Sequence, residues 1–337
     1  MTSSTPLLDV RNLSVRFRTR DGIVHAVSEL SYTLRRGETL GIVGESGSGK
    51  SVSSLAVMGL LNRNYADIEG EILFEGRDLL KLPAKELRTI RGRDISMIFQ
   101  DPFACLHPMY RVGAQIAEAV QTHEDVSHKV AWDRAVELLG AVGIPNPKVR
   151  ARDFPHQYSG GMRQRAMIAM ALVHNPDVLI ADEPTTALDV TVQAQITELI
   201  DRVKREFDVG VILITHDLGV IAETATHVLV MYAGRVVECS AVREIYARPQ
   251  HPYTRALLAS IPRLSDWPDR LPTIEGAPPD LREEPTGCPF EPRCSYRIPD
   301  CRTVMPPLVV LTPGHQAACL VAQRGGLERA SAAAAND

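Results

Sequence analysis

The sequence contains no long apolar run. None of its apolar stretches approaches the roughly 18 residues that a membrane-spanning helix needs. The opening residues, MTSSTPLLDV, also lack the basic start and the apolar stretch of a secretory signal peptide. These absences predict a cytoplasmic protein, whose association with the cytoplasmic face of the cell membrane would be peripheral and would pass through a partner.

The chain has no net basic charge, and cysteine is scarce. The formal net charge of -4 argues against a broad nucleic-acid-binding surface, because such surfaces are basic. Cysteine occurs only six times in 337 residues, and a reducing cytoplasm disfavours disulfides. Four of the six cysteines nevertheless lie close together near the end of the chain, and this concentration needs an explanation of its own.

Short apolar strands alternate with helical patterns along most of the chain. DVLIADEP and GVILITHD are typical of buried strands, whereas GMRQRAMIAMALVHNP and VQAQITELIDRVKREF have the pattern of helices. Apolar strands between helices predict an α/β fold with a largely parallel, mixed sheet covered on both faces. The predicted parts are a core at 1–242 with a helical subdomain at about 101–165, a C-terminal extension at 243–325 and a disordered tail at 326–337.

The segment GESGSGKS fits the phosphate-binding loop, because its glycines let backbone N–H groups curl around phosphates at the start of a helix. Lys50 would reach the β- and γ-phosphates of ATP, and the Ser51 hydroxyl would bind Mg²⁺. A flexible glycine–serine turn is the alternative, but the strand before the segment and the helix after it argue against that. The predicted nucleotide-binding residues are Gly44, Glu45, Ser46, Gly47, Ser48, Gly49, Lys50 and Ser51.

An acidic motif, VLIADEP, ends a predicted strand further along the chain. Asp182 in this motif can hold Mg²⁺ through water, and Glu183 is placed to activate the attacking water as a general base. A motif of this kind, standing alone, is also typical of a solvated acidic strand end. Its position after the phosphate-binding loop favours the catalytic interpretation.

A third motif, YSGGMRQR, opens a helix between the other two. Ser159, Gly160 and Gly161 start this helix, and its N-terminal N–H groups are suited to an anion, although an ordinary helix start has the same pattern. Taken together, the three motifs resemble those of the ATP-binding cassette (ABC) family, whose signature motif is Leu-Ser-Gly-Gly-Gln. Tyr158 and Met162 replace the leucine and glutamine of that motif, and Met162 followed by RQR is typical of peptide and nickel importers.

The resemblance covers about residues 7–240 and implies an ABC-type P-loop NTPase core. It implies catalytic roles for Gln100 in the glutamine loop, where Mg²⁺ is also bound, and for the switch histidine, His216. It further implies a D-loop at Ala187–Asp189. Phe17 stands where the family has an aromatic that stacks on adenine, although an aromatic in an amphipathic strand is more often part of a core.

The end of the chain narrows the resemblance to the ATPases of oligopeptide, dipeptide and nickel importers. HPYTRALLASIP, GCPFEPRC and HQAAC are similar to the C-terminal extension of that subfamily. The resemblance implies an ATPase subunit that pairs head to tail with a second, related cassette. The pair would drive two membrane permeases fed by an extracytoplasmic binding protein, with peptide as the default cargo.

Two other functions are alternatives to this importer ATPase. Cassette ATPases of nucleic-acid repair or translation combine similar motifs, but they usually contain two cassettes or long coiled-coil insertions, and the sequence has neither. A metal-binding regulatory module that has lost turnover is the second alternative. The intact Lys50, Asp182, Glu183 and His216 argue against it.

The four clustered cysteines, Cys288, Cys294, Cys301 and Cys319, suggest a metal centre. They lie in a proline-rich segment that looks too poor in apolar residues to fold on a core of its own, so a metal would supply the missing cross-links. Four thiolates suit Zn²⁺, and they equally suit a [4Fe–4S] cluster. The resemblance to dipeptide-importer ATPases favours the cluster, with zinc as the alternative.

Overall fold

The computed structural model describes residues 5–186, 189–261 and 273–327, without the side chain of Phe103. Ala187 and Leu188 of the expected D-loop lie outside the described residues, as do residues 328–337 of the expected tail. The chain forms two compact units. Unit 1 runs up to Asp9 and includes Thr33–Thr39 and Leu73–Ile214, and unit 2 comprises Val10–Tyr32, Leu40–Ile72 and the chain from Thr215 onward.

Twelve β-strands lie in the described residues. In chain order they are β1 (Leu8–Thr19), β2 (Gly22–Leu34), β3 (Thr39–Val43), β4 (Ala66–Phe74), β5 (Arg77–Asp78), β6 (Ile95–Ile98), β7 (Val178–Asp182), β8 (Gly210–Ile214), β9 (His227–Tyr232), β10 (Arg235–Ala241), β11 (Val309–Thr312) and β12 (His315–Ala317).

The α-helices of the same residues are also numbered in chain order. They are α1 (Lys50–Val57), α2 (Ala84–Ile90), α3 (Pro102–Cys105), α4 (Val112–His123), α5 (His128–Ala141), α6 (Pro147–Arg150), α7 (Gly160–Ala171), α8 (Val190–Phe207), α9 (Leu218–Thr224), α10 (Val242–Ala247), α11 (Pro252–Ala259) and α12 (Leu320–Gln323). Short 3₁₀ helices lie at Leu79–Lys81, Pro155–Gln157, Glu291–Arg293 and Pro299–Arg302. No helix of the described chain combines the length and apolar character needed to cross a bilayer.

The strands β6, β7 and β8 of unit 1 are hydrogen-bonded in that order as parallel neighbours. All residues of the three strands are buried, as is typical of a parallel sheet covered on both faces. Ile98 near the end of β6 lies opposite Ala181 in β7. Because parallel strands end at the same edge of a sheet, this register brings Gln100 close to the acidic motif.

Helices α4 and α5 pack against each other and against α7 in unit 1. Helices α4 and α5 each bury an apolar stripe with four-residue spacing, which is the pattern expected of an amphipathic helix. The stripes consist of Val112, Ile116 and Val120 in α4 and of Ala131, Ala135 and Leu139 in α5. The helical pattern of the sequence between about residues 101 and 165 thus corresponds to α3–α6 and the start of α7.

Unit 2 contains β3, β9, β10, β12 and β11, hydrogen-bonded in that order. The pairing of β3 with β9 is parallel, and the remaining pairings in this series are antiparallel. The strands β2, β1 and β4 lie side by side in a separate sheet. The expected mixed α/β fold is therefore confirmed.

The C-terminal extension was expected to lack a core of its own, and its structure differs from that expectation. Strand β12 pairs with β10, and β11 pairs with β12, so this segment extends the sheet of unit 2. Phe290 is only 2% exposed and lies with His251, Tyr232 and Tyr253 in a group of contacting rings, which we call the aromatic cluster. The extension is thus anchored by strand pairing and apolar packing. The domain boundaries at residues 242 and 325 stay predictions.

Candidate functional site

The phosphate-binding loop of unit 2 runs from the end of β3 into α1, which begins at Lys50. Gly44 and Gly49 have φ angles of 155° and 97°, in a region that favours glycine. A Cβ atom at Gly44 would lie 2.2 Å from the carbonyl oxygen of Met231, and one at Gly49 would lie 2.3 Å from that of Ala26. Any other residue at either position would distort the loop, so both glycines are required by its shape.

Lys50 is buried in this loop, with 6% of its surface exposed. Its ammonium group donates to the carbonyl oxygens of Gly44 and Glu45 at 2.7 and 2.9 Å, and to Ser48 Oγ at 3.4 Å. The loop therefore holds a positive charge at the N-terminus of α1, where backbone N–H groups favour an anion. This arrangement fits the phosphate groups of a nucleotide.

Glu45 connects the loop to the end of the chain. Its backbone N–H donates to the hydroxyl of Tyr253 at 2.8 Å. Its carboxylate forms a bidentate ion pair with Arg293, with N–O distances of 2.7 and 3.1 Å. Sequence reasoning missed this contact, because the two residues are 248 positions apart and only a fold can bring them together.

The acidic motif lies in unit 1, where Asp182 ends β7 and is 4% exposed. Glu183 follows with a φ angle of 47°, which non-glycine residues rarely adopt and which is typical of strained functional positions. Its N–H donates to the carbonyl oxygen of Ile214 at 2.8 Å. Gln100 Nε2 and the Thr186 hydroxyl both donate to Glu183 Oε2, at 3.0 and 2.8 Å. These contacts orient the carboxylate.

The signature motif begins α7, as the sequence predicted. Ser159 caps this helix, because its hydroxyl accepts a hydrogen bond from the N–H of Met162 at 3.3 Å. Tyr158, which replaces the usual leucine, is 3% exposed and donates to the carbonyl oxygen of Arg150. Gln164 donates to the carbonyl oxygen of Pro184 at 2.6 Å, and this link from α7 to the acidic motif was also missed.

Gly160 and Gly161 lie in the first turn of α7, and Gly160 is exposed. A Cβ atom at Gly161 would lie 3.0 Å from Val192 Cγ1, whereas no heavy atom lies within 4 Å of one at Gly160. The first turn of the signature helix is thus open at Gly160. Its N–H groups are suited to an anion.

Phe17 and His216 belong to unit 2. Phe17 lies on β1 and is half-buried, whereas His216 is exposed between β8 and α9. Asp217, the next residue, caps α9 by accepting hydrogen bonds from the N–H groups of Gly219 and Val220 at 2.8 and 3.3 Å. This cap sets the point at which the chain turns after His216.

Comparison with known proteins decides the family. A model of the ABC transporter family matches residues 27–186, and a model of the oligopeptide/dipeptide transporter C-terminal region matches residues 237–301. The oligopeptide transport ATP-binding protein OppD of Haemophilus influenzae is 51% identical over 314 residues, which cover 93% of this chain and 97% of OppD. The chain belongs to the ABC transporter family. The expected family and the expected ATPase class are thereby confirmed.

Further relatives agree with this ABC assignment. The dipeptide transport ATP-binding protein DppD of Bacillus subtilis is 52% identical over 314 residues, covering 93% of this chain and 94% of DppD. The dimeric, post-hydrolysis structure of the ATP-binding cassette MJ0796 bound to ADP and Pi has a TM-score of 0.64 and 27% identity. It covers 70% of this chain and 99% of the MJ0796 chain. The cassette fold of this ABC protein is therefore that of solved ABC ATPases.

The expectation of a metal centre in this ABC protein is wrong, for iron–sulfur and zinc alike. Within the described ranges, no group of His, Cys, Asp and Glu side chains could hold a metal ion, and OppD and DppD are not named as iron–sulfur proteins. Burial raises the pKa of Cys288 to about 12 and that of Cys294 to about 11. Cys301 and Cys319 are buried. The extension packs on its own core, so cross-links by a metal are not needed.

Proposed function

We propose that this chain hydrolyses ATP in order to energise the import of peptides. The observation that carries the proposal is the match to OppD and DppD, which covers 93% of the chain and includes its C-terminal extension. The phosphate-binding loop of unit 2 and the oriented Glu183 of unit 1 support it. They supply the two groups of residues that ATP hydrolysis needs, a phosphate cradle and a general base.

The phosphate-binding loop is proposed to hold the nucleotide. Residues 44–51 would surround the phosphates with backbone N–H groups, and the Lys50 ammonium would contact the β- and γ-phosphates. Ser51, Gln100 and Asp182 would hold Mg²⁺, which neutralises phosphate charge when bound. Phe17 would stack on the adenine ring.

Glu183 is proposed as the general base that takes a proton from the attacking water. The hydrogen bonds from Gln100 and Thr186 to Oε2 orient its carboxylate. The left-handed backbone conformation of Glu183 determines the direction in which the side chain leaves the main chain. Proton transfer by a positioned base of this kind contributes roughly 10²–10⁴-fold to a rate. His216 would act as the switch residue that responds to the γ-phosphate.

A second cassette is proposed to complete the site. One chain supplies one phosphate-binding loop and one signature helix, and in a head-to-tail pair each signature helix covers the nucleotide of the partner. Ser159, Gly160 and Gly161 would provide this cover, because the start of α7 favours an anion and is open at Gly160. The partner is proposed to be a related but different chain.

The remaining partners are proposed to be two permeases and an extracytoplasmic binding protein. Each permease would place a short cytoplasmic helix beside Gln100, along the helical segment at 101–157. The exposed side chains of Met109 and Tyr110, which are 75% and 60% accessible, lie in this segment and offer apolar surface for such a helix. The chain would then be peripheral to the cytoplasmic face of the cell membrane.

Reconstitution tests this function. The chain, a related cassette, the permeases and the binding protein would be placed in liposomes, and ATP hydrolysis would be measured with peptide or with nickel in excess over the binding protein. We expect hydrolysis to depend on Mg²⁺ and to rise with peptide. A rise with nickel alone would reject peptide as the cargo, and the absence of ATP binding would reject the function altogether.

A further inference from the structure

Glu45 is held by the C-terminal extension on two sides. Tyr253, which is fully buried, accepts a hydrogen bond from the Glu45 N–H at 2.8 Å. Arg293 contacts both carboxylate oxygens, at 2.7 and 3.1 Å. Paired contacts between a guanidinium and a carboxylate fix direction as well as distance. The backbone and the side chain of Glu45 are therefore both set by residues more than 200 positions away.

Arg293 is itself fixed before it reaches Glu45. Its side chain is 6% exposed, and its Nε and Nη2 atoms donate to the carbonyl oxygens of Glu275 and Ile274 at 3.0 and 3.1 Å. Its Nη1 donates to the hydroxyl of Tyr232 at 3.2 Å, and its guanidinium carbon lies 5.8 Å from the centre of that ring. The hydrogen bond to Glu45 raises the pKa of Arg293, so the guanidinium stays charged.

Glu45 in turn contacts the part of the loop that binds phosphate. Its carbonyl oxygen accepts hydrogen bonds from Lys50 Nζ at 2.9 Å and from the Ser48 N–H at 3.2 Å. A rotation of the Glu45 backbone would therefore displace the lysine ammonium and a loop N–H together. The chain of contacts from Arg293 to Lys50 passes through a single residue.

We propose that Arg293 is a positioning residue for ATP, which acts through Glu45 on the phosphate-binding loop and on Lys50. The C-terminal extension thereby sets the affinity of the cassette for nucleotide. This inference rests on the proposed function, since it concerns the same loop. Arg293 also has a purely structural role through Ile274, Glu275 and Tyr232, and those contacts do not involve Glu45.

The test compares nucleotide affinity in a double-mutant cycle. Full-length wild-type protein and the variants Arg293→Ala, Glu45→Gln and the double variant are titrated with a fluorescent ATP analogue in the presence of Mg²⁺. Arg302→Ala is the matched control, because Arg302 pairs with Glu291 in the same extension and its side chain is 71% exposed. Unfolding temperatures are recorded for every variant.

We expect Arg293→Ala and Glu45→Gln each to weaken nucleotide binding by roughly tenfold, a coupling of ordinary size between two sites. The double variant should be no weaker than either single variant, because both break the same pair. Arg302→Ala should bind as wild type does. In the assembled transporter, the KM for ATP should rise in Arg293→Ala while kcat stays the same.

Provided that the wild-type protein binds ATP, three outcomes would overturn the inference. Arg293→Ala could bind nucleotide as tightly as the control, it could weaken binding equally in the Glu45→Gln background, or it could lower only the unfolding temperature. If Arg293→Ala does not fold, Arg293→Lys decides, because lysine keeps the charge but loses the paired contact. Arg293→Lys with wild-type affinity would then reject the proposal. A wild type that binds no ATP would reject the proposed function instead.

Discussion

Substitution of Phe290 by alanine should strongly destabilise the C-terminal extension. Phe290 is 2% exposed, and its ring centroid lies 5.2 Å from that of Tyr232 and 5.4 Å from that of Tyr253. Burial of such a side chain contributes about 1.5–3 kcal/mol, and each aromatic pair adds about 0.5–1.5 kcal/mol. Together these contributions amount to about 2.5–6 kcal/mol, and we expect a loss of about 3–5 kcal/mol, the usual cost of this substitution in a core.

The assay for Phe290→Ala is hydrogen exchange of the backbone amides in residues 288–301, combined with urea denaturation. The Cys288 N–H donates to the carbonyl oxygen of Cys301 at 2.8 Å, so its protection reports directly on whether this segment stays folded. Phe207→Ala is the matched control, because Phe207 ends α8 and is 47% exposed. It should change the free energy of unfolding by about 0.5 kcal/mol or less.

A small effect would refute the reasoning. If Phe290→Ala lowered the free energy of unfolding by less than about 1 kcal/mol and left exchange in 288–301 unchanged, the aromatic cluster would not anchor the extension. The statement that the extension needs no cross-links from a metal would then lose its support, because it depends on the extension having a core of its own.

Four further predictions concern the proposed site and its surroundings. In the assembled complex, Glu183→Gln should keep ATP binding and lose roughly 10²–10⁴-fold in turnover, and wild-type turnover would contradict its role as base. Lys50→Ala should weaken nucleotide binding itself, as measured by titration, and unchanged affinity would count against the phosphate contact. Burial lowers the pKa of His251 from 6.5 to about 4. Between pH 4 and pH 6.5 the unfolded chain therefore binds more protons than the folded chain does. Stability should fall by about 1.4 kcal/mol per unit as the pH drops from 6.5 towards 4. His251→Asn should flatten that slope in urea denaturation, and an equal slope in both proteins would contradict the assignment. A photo-cross-linker at position His107 should react with a permease loop, whereas cross-links formed only from the extension would reject the proposed docking segment.

Much of the fold and of the candidate site could be predicted from local patterns. The phosphate-binding loop can be recognised in the sequence because backbone geometry requires its glycines. A Cβ atom at Gly44, for example, would lie too close to the carbonyl oxygen of Met231. The acidic motif and Gln100 follow short apolar strands, and the parallel register of β6 and β7 brings those strand ends together. In each case a few residues that are neighbours in the sequence are enough to predict the local structure.

The rest depends on contacts between distant parts of the chain. The pairing of β12 with β10 was missed, because β12 is only three residues long, HQA, and has no apolar pattern. The contact of Arg293 with Glu45 was missed because a charged residue beside a cysteine-rich segment looks like surface. The four cysteines were misread as metal ligands, since nothing local reveals that Phe290 packs on Tyr232.

The pairing of β12 with β10 also limits how this protein can be shortened. Glu238 in β10 is fully buried, and its carboxylate accepts from His315 of β12 at 2.7 Å and from the His251 N–H at 2.9 Å. A chain cut before β11 would leave β10 with unpaired backbone groups, which template aggregation. It would also leave Glu238 without its histidine partner. A shortened chain that ends at the predicted core boundary, residue 242, should therefore precipitate. An exchange of C-terminal extensions between relatives should give a folded protein only when β10 is exchanged together with the extension.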